Sequence, residues 1–184
     1  MTCIIGLIDN GTVWMGGDSA GVAGYDLHRC VAPKVFRNGQ FLFGFTSSFR
    51  MGQLLQHVFK PPPPPSGRTL ERFLASTFID AVRKCLDKGG FAKKKDEVES
   101  AGQFLLGVRG HIVCVDSGYN VSERREGFDA VGCGSDLALG ALFATAELPP
   151  RERIQTALEA AEHFCIGVSG PFTIVSLKPE RSPK

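Results

Sequence analysis

Three residues near the start of the chain could together perform nucleophilic chemistry: Thr2, Asp18 and Lys34. A threonine hydroxyl is a poor nucleophile by itself. An amino-terminal threonine, however, carries a free α-amine that titrates near pH ~8 and can accept the hydroxyl proton. A lysine beside the hydroxyl would stabilise the alkoxide, and a carboxylate would position that lysine. Removal of Met1 would therefore make Thr2 both nucleophile and base, with Lys34 and Asp18 as its support.

Strand patterns surround these residues. Apolar segments flank Asp9-Asn10-Gly11, and an Asn-Gly pair favours a turn with positive φ at both central positions, so residues 2–18 are predicted to form a β-hairpin. Residues 35–42 repeat the signal. Further strands are predicted at 103–108, 111–116, 128–131 and 172–177, and the charged residues 91–100 are predicted to be a loop.

Four helices are predicted, the first two from apolar residues at helical intervals and the last from Pro149-Pro150 and Glu152, which commonly open a helix. They cover residues 49–59, 70–86, 135–146 and 150–165. Between the first two, the segment Pro61 to Gly67 cannot continue a helix and is expected to be an extended surface connector. The order of strands and helices favours an α+β domain with antiparallel sheets.

Composition limits the class of protein. The chain has 184 residues, of which 43% are hydrophobic and 22% charged, so we expect residues 1–184 to form one globular domain. A net charge of +2 is too small to indicate nucleic-acid binding. No apolar stretch approaches the ~20 residues that span a bilayer, and the start lacks a secretory signal. We expect a soluble cytoplasmic protein with neither nucleic-acid nor membrane partners.

The metal-binding residue types are dispersed. Six cysteines and four histidines occur without any C-x-x-C pair. A disulfide framework or a zinc site would show closer or denser spacing. We expect mostly reduced thiols in the core, no metal and no cofactor.

Several motifs together resemble proteasome β subunits and bacterial HslV peptidases. These are T-C-I-I-G from Thr2, G-G-D-S around Asp18, the lysine before V-F at Lys34, G-F-T-S-S from Gly44, and V-G-C-G-S-D at 131–136. The resemblance covers most of the chain and places the family's catalytic threonine, aspartate and lysine on Thr2, Asp18 and Lys34. It implies a four-layer αββα sandwich, with two stacked antiparallel sheets between helix layers.

The resemblance also implies further site residues. The backbone amide of Gly44 would hold the oxyanion, although Gly44 could instead relieve packing against a neighbouring strand. Gly21, Ala32, Phe36 and Thr46 would line the pocket for the substrate side chain that precedes the cleaved bond.

Two positions depart from the family pattern. Where relatives carry serine near the threonine amine, this chain has Cys133, with Ser135 two positions later. Cys133 could relay protons, Ser135 could substitute for it, or Cys133 could be a small buried apolar residue. The family's carboxyl-end aspartate falls on either Ile166 or His163, depending on the alignment, so neither alignment retains a carboxylate. We expect this loss to slow catalysis by a factor of about 10² or more.

The resemblance implies a threonine endopeptidase acting on peptides or unfolded proteins. Its relatives form stacked rings of six or seven subunits, often served by an ATP-dependent unfoldase. Two alternatives stay open: a catalytically weak or silent ring scaffold, and a small-molecule amidohydrolase of the same superfamily. The state of the mature amino terminus and the presence of a closed ring distinguish them.

Overall fold

The computed structural model describes residues 1–65, 69–95 and 98–179. Within these ranges the chain mixes helices with antiparallel sheets, as the sequence predicts, and every strand pair is antiparallel. No helix in these ranges combines the length and apolar character needed to cross a membrane.

The first sheet has four strands. They are β1 (Cys3–Asp9), β2 (Thr12–Gly17), β12 (Phe128–Gly132) and β13 (Thr173–Leu177), in the order β12-β1-β2-β13. The β1–β2 hairpin turns at Asn10 and Gly11, whose φ angles are 47° and 74°. Positive φ at both positions is what the Asn-Gly pair predicted.

The second sheet has five strands. They are β5 (Val35–Asn38), β6 (Phe41–Phe45), β9 (Phe104–Val108), β10 (His111–Val115) and β11 (Val121–Ser122), in the order β11-β10-β9-β6-β5. Arg109 and Gly110 form the turn between β9 and β10, with φ angles of 49° and 79°. Strand β11 has only two residues and gave no periodic signal.

Two small hairpins were not predicted. One joins β3 (Ala20–Ala23) to β4 (Asp26–Arg29), and the other joins β7 (Lys93–Lys95) to β8 (Val98–Ser100). The predicted loop at 91–100 is therefore wrong at residues 93–95 and 98–100, whereas residues 96 and 97 lie outside the described part of the chain. Strands of three or four residues are too short to show the alternation of apolar and polar residues from which a strand is recognised.

All four predicted helical regions are confirmed. The first is α1 (Phe49–Gln53) continued by a π-helical segment (Leu54–Val58), and the second runs from α2 (Leu70–Phe73) through a π-helical segment (Leu74–Phe78) into α3 (Ile79–Lys88). The others are α4 (Ser135–Ala144) and α5 (Pro150–Phe164). Of the predicted connector, residues 61–65 have no regular secondary structure, and Ser66 and Gly67 lie outside the described residues.

Three groups of buried side chains hold the elements together. Ile5 and Leu7 of β1 pack against side chains of α4 and α5, among them Leu158 of α5. The neighbouring Ile4 points the other way, into a core shared with the second sheet, because side chains alternate along a strand. A third, phenylalanine-rich core joins the second sheet to α1–α3 and the π-helical segments. Strand β1 is thus buried on both faces, and Thr2 lies directly before it.

Candidate active site

Thr2, Asp18 and Lys34 each lie at the end of a strand. Thr2 precedes β1, Asp18 follows β2 and Lys34 precedes β5. Ile4 is paired with Gly17 in the first hairpin, so the next residue, Asp18, lies beside Cys3 and donates its backbone N–H to the Cys3 carbonyl at 3.2 Å. The hairpin therefore fixes how Asp18 is placed relative to the start of β1.

The side chain of Lys34 joins the other two. Its Nζ donates to Thr2 Oγ1 at 2.9 Å, to Asp18 Oδ1 at 2.9 Å and to Asp18 Oδ2 at 3.0 Å. Thr2, Asp18 and Lys34 are 4%, 2% and 1% exposed. A charged pair is rarely buried this deeply, because removing two ions from water costs several kcal/mol per ion before their attraction compensates. The structure thus brings together the three residues that the sequence singles out.

Two backbone amides also hold the Asp18 carboxylate. Cys3 N–H donates to Oδ1 and Ala20 N–H donates to Oδ2, each at 2.9 Å. With the Lys34 ammonium, both oxygens are fully engaged in charge-assisted hydrogen bonds. Asp18 therefore holds Lys34 from a fixed position.

Cys133 lies on the amino side of Thr2. Its Sγ accepts a hydrogen bond from Thr2 N at 3.3 Å and donates to Thr2 O at 3.5 Å. Partial burial raises the pKa of the Cys133 thiol, which is therefore the neutral form near neutral pH. Ser135 opens α4, and within the described part of the chain its hydroxyl has no hydrogen bond to Thr2. Of the two polar candidates, Cys133 is the one at the nucleophile.

Met1 precedes Thr2 in this structure. The Thr2 hydroxyl donates to the Met1 carbonyl oxygen, and Thr2 N is a peptide nitrogen. A peptide nitrogen cannot act as a base, because its lone pair is delocalised into the carbonyl. The site becomes competent for the chemistry inferred from the sequence only when Met1 is removed.

The position of Gly44 does not fit the oxyanion role that the sequence analysis gave to its backbone amide. Gly44 is inside β6, between Val35 and Leu105 on the neighbouring strands. Thr46 N–H donates to Gln103 O at 3.1 Å. Because hydrogen-bonded pairs recur at every second residue of an antiparallel ladder, Gly44 N–H is directed at the Leu105 carbonyl oxygen. A side chain on Gly44 would overlap the core between the sheets. The amide is committed to the sheet, and the glycine relieves packing, which was the alternative interpretation.

The cleft beside Thr2 and Lys34 includes only one of the four predicted pocket residues. Its other lining residues are Met1, Val22, Phe45, Thr46, Ser47, Ser48 and Phe49. Thr46 is therefore at the cleft as predicted, and the Phe49 ring centroid lies 6.0 Å from Lys34 Nζ. Ser47 and Ser48 belong to the G-F-T-S-S motif, so the motif itself was the signal that could have identified them.

The other three predicted pocket residues lie elsewhere. Phe36 is buried and stacks on Phe43, with ring centroids 5.5 Å apart. Gly21 is paired with His28 in the small β3–β4 hairpin, and the His28 ring occupies the space that a Gly21 side chain would take. Ala32 is exposed before Lys34. None of the three lines the cleft.

The two residues that align with the family's carboxyl-end aspartate, Ile166 and His163, supply no carboxylate to Thr2. Ile166 is 86% exposed, and His163 is exposed in the last turn of α5. The nearby Glu162 carboxylate instead accepts from Gly170 N–H at 2.8 Å. Cys165, which the sequence analysis did not single out, has its Sγ 3.4 Å from Cys133 Sγ. Within the described ranges, no cluster of three or more His, Cys, Asp or Glu side chains could hold a metal ion.

Comparisons with known proteins place the fold. No protein-family profile and no curated protein sequence matches the chain. Among solved structures, Thiobacillus denitrificans BPH is similar with a TM-score of 0.81 and 19% identity, over 98% of this chain and 100% of that one. The same protein in complex with epoxomicin gives a TM-score of 0.80 and 20% identity over the same shares.

Two further structures are more distant. Eukaryotic HslV from Trypanosoma brucei has a TM-score of 0.67 and 16% identity, over 96% of this chain and 99% of that one. The Anbu (Gly-1) mutant from Hyphomicrobium sp. strain MC1 has a TM-score of 0.68 and 14% identity, over 95% of this chain and 80% of that one. The resemblance inferred from the motifs is thus confirmed in three dimensions: this chain has the fold of the HslV- and proteasome-like proteins.

Proposed function

We propose that this protein is a threonine-type endopeptidase of the amino-terminal-nucleophile class, activated by removal of Met1. The observation that carries the proposal is the buried Lys34 ammonium, which contacts both Thr2 Oγ1 and the Asp18 carboxylate within 3.0 Å. The chain uses a costly buried ion pair to place one positive charge against a hydroxyl. The three cores support a four-layer αββα arrangement, in one domain of residues 1–184.

In the proposed reaction, the free α-amine of Thr2 accepts the Oγ1 proton while Oγ1 attacks a peptide carbonyl carbon. The amine then gives that proton to the leaving nitrogen, and an acyl-enzyme ester remains on Oγ1. A water molecule, deprotonated by the same amine, hydrolyses the ester and restores the threonine. Lys34 stabilises the developing alkoxide, Asp18 orients Lys34, and Cys133 contacts the nitrogen that carries the proton.

The oxyanion needs a backbone donor other than Gly44. The chain leaves β6 after Phe45 and runs through Thr46, Ser47 and Ser48 along the cleft, with Ser47 at φ 71°. We assign the oxyanion donor to the Ser47 amide, because it lies at the same cleft as Thr2 and Lys34, whereas Thr46 N–H and Ser48 N–H already donate to Gln103 O and Thr46 O.

Peptides or unfolded proteins are the proposed substrates. Val22, Phe45 and Phe49 give the cleft an apolar wall, which favours an apolar side chain next to the cleaved bond. We further propose that the protein acts in the cytoplasm as a stacked ring, with an ATP-dependent unfoldase as its partner.

A silent ring scaffold is the second candidate. One observation favours it: within the described residues no carboxylate is hydrogen-bonded to Thr2 N. Both proposals predict the same fold, so the amino terminus decides between them.

The test is intact-mass spectrometry of the purified protein before and after treatment with epoxomicin, an epoxyketone that labels amino-terminal threonine. We expect a mass that lacks Met1 and one adduct per chain. Thr2→Ala should give no adduct, while Thr2→Ser, which keeps a hydroxyl and an amine, should still be labelled. A retained Met1, or a correctly processed chain without adduct, would favour the silent scaffold.

A further inference from the structure

A second thiol lies next to the site and has no role in the proposed reaction. Cys165 Sγ is 3.4 Å from Cys133 Sγ, and Cys133 Sγ is 3.3 Å from Thr2 N. No other two cysteine sulfurs are in such contact in the described part of the chain, which contains all six cysteines as free thiols. The one close thiol pair is thus the one that touches the nucleophile.

The two thiols come from different elements. Cys133 lies in the turn between β12 and α4, and Cys165 ends α5, held there by its N–H bond to Ala161 O at 2.9 Å. A side chain on Gly167 would come within 2.7 Å of Cys133 Sγ, so glycine at this position leaves room around the sulfur. A disulfide needs the sulfurs at ~2.05 Å, so the two must approach by a little over 1 Å. Side-chain rotation can supply a movement of that size.

Access and reactivity favour this pair over a pair with Cys3. Cys133 is exposed and Cys165 is half-buried, whereas Cys3 is fully buried. Burial, with the nearby Asp18 carboxylate, raises the pKa of the Cys3 thiol far above its usual range, which makes it a very poor thiolate. Partial desolvation of its sulfur raises the pKa of the Cys133 thiol as well, so oxidation of the pair should become faster as the pH rises and thiolate forms.

We propose that Cys133 and Cys165 form a reversible disulfide in the presence of a hydroperoxide, and that this disulfide slows the reaction of Thr2. One thiolate attacks the peroxide oxygen, giving a sulfenic acid and hydroxide. The second thiolate then attacks the sulfenyl sulfur, the S–O bond breaks, and the oxygen leaves as water once protonated. Overall, two thiols and one hydrogen peroxide give one disulfide and two waters.

The effect on Thr2 follows from the contacts of Cys133. As a thiol, it accepts from Thr2 N and donates to Thr2 O. As a disulfide it has no proton to donate, and its sulfur is drawn toward Cys165. Loss of about one net hydrogen bond at the nucleophile corresponds to roughly fivefold slower reaction. This second half of the proposal rests on the proposed peptidase function, whereas disulfide formation does not.

The test treats the full chain with hydrogen peroxide, then with dithiothreitol. Non-reducing peptide mapping should show the fragments containing Cys133 and Cys165 linked, and dithiothreitol should separate them. The rate of epoxomicin labelling should fall roughly fivefold in the oxidised protein and recover on reduction. Cys165→Ser should form no link, and its labelling rate should not respond to peroxide. Cys30→Ser, which removes a half-buried thiol outside the pair, should behave as the wild type.

Several results would overturn the proposal. These are a Cys3–Cys133 link, over-oxidised but unlinked thiols, or a linked protein whose labelling rate is unchanged. If even the reduced protein is not labelled by epoxomicin, the proposed function fails, and peptide mapping alone then decides whether the disulfide forms.

Discussion

At the scale of single residues, the Lys34–Asp18 pair affects both the stability of the fold and the proposed reaction of Thr2. The pair is buried, and the Asp18 carboxylate also accepts hydrogen bonds from two backbone amides. Removal of the lysine leaves an uncompensated carboxylate in the interior. We expect Lys34→Met to lower the free energy of unfolding by about 3–5 kcal/mol and kcat/KM for a peptide substrate by about 10²-fold or more.

A double variant separates the two effects. Asp18→Asn with Lys34→Met removes both charges and should recover part of the lost stability, but no activity. The recovery is incomplete because one of the two backbone amides then faces the NH₂ group of the new carboxamide side chain, which leaves a donor unpaired at about 1–3 kcal/mol. Chemical denaturation and peptide hydrolysis measure the two quantities. A double variant no more stable than Lys34→Met would contradict this account of the pair.

At the scale of elements, the end of β12 fixes the start of β1. Gly132 has φ 102°, and a side chain there would overlap the Thr2 carbonyl oxygen. Gly132→Ala should therefore displace Thr2 from Lys34, slow epoxomicin labelling at least about tenfold and cost about 1–3 kcal/mol of stability. Gly127→Ala is the matched control, since φ is 73° but nothing lies within 4 Å. It should carry the backbone strain alone and keep full labelling, and equal losses in both variants would refute the steric explanation.

The elements that sequence reasoning identified are those with strong local signals. The Asn10-Gly11 pair identified the first hairpin, apolar periodicity identified the first two helical regions, and Pro149-Pro150 with Glu152 marked the start of the last helix. The two π-helical segments have i→i+5 hydrogen bonds, but each is only 5 residues long, which is too short for its periodicity to be told from that of an α-helix. The short β3–β4 and β7–β8 hairpins have too few residues to show alternation.

The site roles that the sequence analysis assigned wrongly depend on tertiary contacts, which local motifs do not contain. The Gly44 amide was predicted to hold the oxyanion. Which amides of β6 are directed at β9 depends on how the two strands are paired, and no local motif contains that information. Phe36 follows Lys34 by two residues and so shares its face of the strand, but Phe45 and Phe49 close the cleft before Phe36 is reached. The Cys133–Cys165 contact joins positions far apart in the chain. In contrast, Thr2, Asp18 and Lys34 were predictable because they belong to motifs at strand ends.

At the scale of the whole molecule, the single chain exposes large apolar side chains that a ring would cover. Tyr25 and Val31 are fully exposed, and Leu27 is 43% exposed. All three lie on or just after the β3–β4 hairpin, next to Val22 of the cleft. Clustered apolar side chains of this kind mark protein interaction sites.

Native mass spectrometry tests the assembly. We expect the wild-type protein to form stacked rings of six or seven copies each, and Tyr25→Ser with Val31→Ser to shift it to smaller species, because polar side chains at these positions reduce the apolar area that association buries. Phe143→Ser is the comparison, since Phe143 is 77% exposed but lies on α4, away from the hairpin. If Phe143→Ser dissociates the particle and the double variant does not, the contact surface is on α4. A monomeric wild type would refute the ring.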